Sequence, residues 1–207
     1  MTTRLRVSLL FLALAFAFAA KAKAAPAPQP AAQPTSSAQP TDATAPSYDL
    51  KAQALADLAD LQQKLVSLAK AVPAEKYNWR PMDGVRSFGE VFLHVAGTNF
   101  SLTSAIGGPP IPGFKADGYD KSPMDKAQIV DKLNQSFEYT RDAIKKMSNA
   151  DLKKPMKHFG PDANAGDIVY LITTHTHEHL GQSIAYARMN GIVPPWIAAQ
   201  MNAQPKD

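Results

Sequence analysis

The chain of 207 residues contains no cysteine, which excludes a disulfide framework, a lipidated thiol anchor and any cysteine nucleophile. It also lacks a usable surplus of positive charge. Four of its 22 Lys and Arg residues (Arg4, Arg6, Lys21 and Lys23) precede Ala25, where no acid stands, so the remainder carries 18 bases against 18 acids. No basic stripe with interleaved aromatics occurs, and the ordinary electrostatic grounds for a nucleic-acid partner are absent. The sequence shows no nucleophilic serine motif, no phosphate-cradling glycine loop, no nucleotide fingerprint and no internal repeat. Its one long apolar run, Val7 to Ala20 apart from Ser8, falls short of the roughly 20 residues a membrane span needs.

That run has a different reading. Arg4 and Arg6 precede it and the small-residue stretch Ala19 to Ala25 follows it, which is the layout of a secretory signal peptide. Residues 1–24 are therefore predicted to be a signal peptide, with cleavage after Ala20 or Ala24. The mature chain is expected to be exported to the periplasm or the extracellular space, with no stable membrane anchor. Residues 25–46 consist of Pro, Ala, Gln, Thr and Ser with a single charge at Asp42 and lack the large apolar residues a core requires, so they are predicted to be a disordered linker. Residues 47–207 suit one domain with one core.

Within that domain, apolar residues recur at helical spacing. A first helix capped by Ser47 carries Leu50, Ala54, Leu58, Leu61, Leu65, Leu68 and Val72 on one face and ends before Pro73. Ser87 to Glu90 reads as a capping box that starts a second helix; its inward face holds Val91, His94 or Val95, Thr98, Leu102 and Ala105. Ser122-Pro123-Met124-Asp125 reads as the start of a third, which carries Ile129, Leu133, Phe137, Thr140, Ile144 and Met147. Ser148 to Gly160 reads as loop. A fourth helix, capped by Asn164 or Asp162 and closed by Asn190-Gly191, carries Ile168, Ile172, His175, His179, Gln182, Tyr186 and Met189 on one stripe. Ile168 to His179 is rich in β-branched residues and could be taken for a strand, but the period of 3.6 persists beyond strand length. Trp79 is expected to plug the bundle end, and the tail around Trp196 to fold back along it. The fold class is all-α, a four-helix bundle.

Chemistry concentrates in the histidines. His175 and His179 lie one turn apart on the inward stripe, a spacing that chelates a divalent metal. Two unpaired imidazoles in an apolar seam would otherwise incur a desolvation cost of roughly a few kcal/mol. His94 falls on or beside the seam of the second helix and joins them if helices two and four are neighbours. Three imidazoles from two helices leave an open metal position for water or substrate. His177 points about 200° away from His175 by the 100° helical step, and His158 falls in a loop. His177-Glu178 has Gly181 where the zinc-protease helix signature needs a histidine. Glu90 and Glu178 read as capping or solvated residues. Gln182 could orient a bound ligand or bond Tyr186, and Gly181 would admit a closely packed helix. The blander alternative makes each inward histidine a hydrogen-bonded core residue.

Trp79-Arg80-Pro81, Arg86-Ser87 leading to Glu90 and His94, and His175-x-x-x-His179-Leu180-Gly181-Gln182 occur in an order and spacing that resembles the DinB family of metal-binding four-helix bundles, the DinB/YfiT-like fold. The resemblance spans about Ser47 to Met189. It implies a divalent metal ion, zinc or nickel, held by His94, His175 and His179. It further implies a metal-dependent transferase or hydrolase acting on a small molecule, with a low-molecular-weight thiol or water activated at the metal. A homodimer is also common in that family. The competing expectation is a non-catalytic metal-binding or stress-related module of the cell envelope.

Overall fold

The computed structural model describes residues 48–203 apart from 158, 159 and 161. The expected signal peptide (1–24), the expected linker (25–46), Ser47 and His158 lie outside the described residues. The described residues form helices α1 (Leu50–Ala71), α2 (Phe88–Ala105), α3 (Lys126–Lys146), α4 (Asn149–Leu152), α5 (Ala165–Met189) and α6 (Pro195–Ala203), with an isolated β-bridge between Pro155 and Asn164. None of these helices is long and apolar enough to cross a membrane.

Helix starts follow side-chain chemistry. Ser87 accepts from the Glu90 N–H at 3.3 Å while the Ser87 N–H donates to the Glu90 carboxylate at 2.7 Å, so two of the unpaired N–H groups at the start of α2 are satisfied at once. Asn164 and Asp167 make the same reciprocal pair at the start of α5. Two expected caps move. Asp49 caps α1, and Asp125, not Ser122, caps α3, because the Asp125–Gln128 pair closes a capping box and leaves Ser122 extended. Ser148 to Gly160 is not all loop: a Ser148–Asp151 capping box nucleates the single turn of α4.

Helix order and direction follow from which side chains meet. α1 packs against α3 and α5, and α2 also packs against α3 and α5, so α1 faces α2, and α3 faces α5, across the diagonals. Asn99 bonds Ser136 and Thr103 bonds Thr140, a register that advances in step along both chains, so α2 and α3 run parallel. His94 meets His175 while the Arg86 carbonyl meets Tyr186, so α2 and α5 run antiparallel. Joining parallel neighbours requires a return along the bundle. Residues 106–125 make it, and their 3-10 turn Tyr119–Lys121 lies against α2.

The core lies between the four long helices. Leu58, Leu61, Leu65, Leu68, Phe88, Phe92, Leu133, Phe137, Ile144, Ile168 and Ile172 are fully buried or nearly so, each side chain contributing about 1.5–3 kcal/mol by leaving water. The expected faces of α1 and α3 are the buried ones. α2 differs: Phe92, Ala96, Asn99 and Thr103 are buried, whereas Thr98 and Leu102 are only half-buried and Ala105 is exposed. Covered by α3, α5 and the returning segment, α2 has no broad polar face from which its orientation could be read. Met189, placed on the inward stripe by periodicity, is 63% exposed because it falls in the last turn of α5, before Asn190. Trp79 packs at the bundle end with ring centroids 5.9 Å from Phe88 and 5.4 Å from Tyr186. α6 returns along α1. No atom approaches the place of a Cβ on Gly181, so no described helix uses that glycine for close packing.

Candidate functional site

His94 sits two turns into α2, and His175 and His179 occupy successive turns of the facing α5. Antiparallel packing of these helices brings the three side chains together. The His94 and His175 Nε2 atoms are 3.0 Å apart, and those of His175 and His179 are 3.1 Å apart. One ligand atom from each of the three residues falls within 4.8 Å of the others. The rings are steeply inclined to one another, at 59°, 82° and 70°, so they meet nitrogen to nitrogen instead of face to face.

Three nitrogens so disposed cannot satisfy each other. Each Nε2 offers one proton or one lone pair, yet that of His175 stands within bonding distance of two others. A chain of hydrogen bonds identifies one lone pair. The Tyr186 hydroxyl donates to the Arg86 carbonyl at 3.2 Å, so it accepts from the Gln182 amide at 3.0 Å. That turns the Gln182 oxygen toward His179 Nδ1 at 2.7 Å, where it accepts the Nδ1–H. In the neutral ring, the His179 Nε2 lone pair then faces the cluster. His175 Nδ1 is buried without a partner, so no described residue selects its tautomer.

Burial pushes the His94 imidazole down to about 4, with the Arg86 guanidinium and His179 adding to the shift and Asp120 opposing it. Burial likewise pushes His175 down to about 4, reinforced by His179, His94 and Arg86. Both rings are therefore neutral at pH 7, the form in which imidazole binds a metal. A tetrahedral zinc with bonds of about 2.0–2.1 Å would hold its nitrogens about 3.3 Å apart, close to the observed separations. The donor set fits a borderline divalent cation such as zinc or nickel.

The other singled-out residues fall elsewhere. His177 and Glu178 are exposed on the outer side of α5. Glu90 serves the α2 cap and pairs with Arg80 at 3.2 Å. Gln182 bonds both His179 and Tyr186, which joins it to the site through a ligand candidate. The sequence reading gave no site role to Arg86 or Asp120, whose 2.8 Å ion pair lines a groove of about 390 Å³ with His94, Thr98 and Tyr119. In the sequence Arg86 stands out only as part of the Arg86-Ser87 motif, and no local spacing points to a partner 34 residues away.

Comparison with known proteins bears on this arrangement at the level of family and fold. No curated protein matches the chain significantly. Among solved structures, the chain is similar to YfiT from Bacillus subtilis, described as a probable metal-dependent hydrolase with an unusual four-helix bundle topology. The TM-score is 0.56 at 14% identity, over 72% of this chain and 93% of that one. The model of the DinB superfamily matches residues 57–183, a span that contains all three clustered histidines, the whole of α2 and α5 as far as Ser183, and the chain belongs to that superfamily.

Proposed function

We propose that the protein binds a divalent metal ion, zinc or nickel, through the Nε2 atoms of His94, His175 and His179, and that the loaded site is the catalytic centre of a metal-dependent hydrolase or transferase acting on a small molecule. The observation that carries this reading is the convergence of three imidazole nitrogens, two pairs of them 3.0 and 3.1 Å apart, with no internal hydrogen-bond scheme that satisfies them. Bound there, the metal would acidify a coordinated water or thiol toward neutrality.

The chain's own residues supply the rest. Gln182 and Tyr186 hold the His179 ring with its lone pair inward, and burial keeps His94 and His175 unprotonated. The groove beside His94 gives access along α2. The description of YfiT as a probable metal-dependent hydrolase supports the hydrolytic version. The N-terminal sequence pattern supports export, so the site would operate in the periplasm or outside the cell, as a monomer or a homodimer.

Elemental analysis of purified protein tests the metal assignment: about one metal per chain is expected, and His175→Ala should abolish stoichiometric binding. Full loading of that variant would refute the assignment. One observation favours a non-catalytic metal-binding module instead. Asp120, the acid acting on His94, is committed to Arg86, and among the described residues no Asp or Glu joins the three histidines within ligand distance to serve there as a base. Hydrolytic and thiol-transfer assays of the loaded protein separate the two readings.

A further inference from the structure

Arg86 is held at two points. Its carbonyl accepts from Tyr186, at the far end of the hydrogen-bond chain that starts on His179. Its Nε donates to Asp120 at 2.8 Å, and Asp120 is itself largely buried on the segment returning along α2. This pairing takes one edge of the guanidinium and leaves another. Nη1 and Nη2 bond no described residue, and the Arg86 side chain keeps 41% of its surface open. Arg86 and His94 line the same groove, and the Arg86 charge is felt at both His94 and His175.

A guanidinium fixed at its backbone and at Nε is oriented before any ligand arrives, and a planar Nη1/Nη2 edge matches a planar oxyanion by two parallel hydrogen bonds. We propose that Arg86 anchors the substrate of this site, its Nη1/Nη2 edge receiving a carboxylate on a small molecule whose other end reaches the metal position beside His94. The assignment rests on the metal reading above. Asp117 and Asp120 on the same groove oppose a second negative charge, which favours a singly charged carboxylate over a doubly charged phosphate. Asp120 is a positioning residue: it sets which edge of Arg86 is presented.

Cobalt(II)-loaded full-length protein, followed by its visible absorption, tests this with two thiol probes, 3-mercaptopropionate and 2-mercaptoethanol, that differ in a carboxylate. The wild type is expected to bind the carboxylate probe at least about tenfold more tightly, the range of a charge-assisted hydrogen bond. Arg86→Met should bring the two affinities within about twofold of each other while still taking up cobalt. Arg86→Lys, which keeps the charge but not the two-point edge, should lower the preference at least about threefold and serves if the Met variant does not fold. No preference in the wild type, or a preference undiminished in the variants, overturns the anchor. Failure of the wild type to take up cobalt would instead refute the metal site on which the anchor rests.

Discussion

At the scale of single residues, His179 differs from its two partners in having its tautomer set by the protein. The Tyr186 hydroxyl can give its one proton only to the Arg86 carbonyl, and that choice propagates through Gln182 to His179 Nδ1. Tyr186→Phe removes the oxygen that orients Gln182 but leaves all three histidines in place. It should weaken metal binding about 10–100-fold, measured by chelator competition; unchanged affinity would mean that His179 is oriented by packing alone. Acid should act on His94 and His175. Their folded values near 4 lie below the ordinary 6.5, so between those limits the unfolded chain takes up protons that the folded one refuses. Stability of the metal-free protein should be full above about pH 6.5 and decline as pH falls toward 4, followed by urea denaturation across that range. Stability that stays flat across the window would show these rings to be better solvated than their burial indicates. The three clustered histidines were legible in the sequence because two share a helical stripe and the third sits on a neighbouring seam. The Tyr186–Arg86 contact was not, since it spans 100 residues and involves a backbone carbonyl that leaves no trace in residue type.

At the scale of elements, the site depends on α2 being pressed from outside as well as from the core. A Cβ on Gly97 would lie 2.9 Å from Tyr119 Cδ1, so the returning segment approaches α2 more closely than any larger residue permits. Tyr119 has little room to yield, being packed edge-on against Phe100 and Phe114 at 6.2 and 5.1 Å between centroids. Gly97→Ala should therefore destabilise the fold by about 1–3 kcal/mol, even though alanine is the better helix former. A urea midpoint at or above that of the wild type would show that the segment simply moves aside. Because Asp120 is next to Tyr119, the same variant should loosen the Arg86 pair. The capping boxes at Ser87 and Asn164 were readable because their partners lie three residues apart. The wrapping of α2 was not, because a helix covered on nearly all sides has no polar face to orient it, and Thr98 and Leu102 look as suited to the core as Phe92 and Ala96.

At the scale of the whole molecule, four amphipathic helices imply a bundle but leave their neighbours and directions open. What settles these is the fit of particular pairs, such as Asn99 with Ser136 and Thr103 with Thr140, buried polar groups that bond only in the parallel register. That arrangement sets α2 against α5 and so brings His94 to a pair of histidines 81 and 85 positions further along the chain. A site assembled from elements so distant exists only in the folded state, and a metal that binds there must stabilise the fold. At a free metal concentration about 1,000 times the dissociation constant, the gain is about 4 kcal/mol, which for a chain of this size raises the melting temperature by about 8–16 °C. Among the described residues the buried core runs from Ala54 to Ala187 and contains the histidine cluster, and a chain lacking residues 1–46 should show the same rise as the full-length protein. Melting curves of both forms with zinc and with excess chelator measure it. A rise confined to the full-length form would move part of the metal site into the N-terminal residues, and no rise in either would mean that the three histidines serve the fold without a metal.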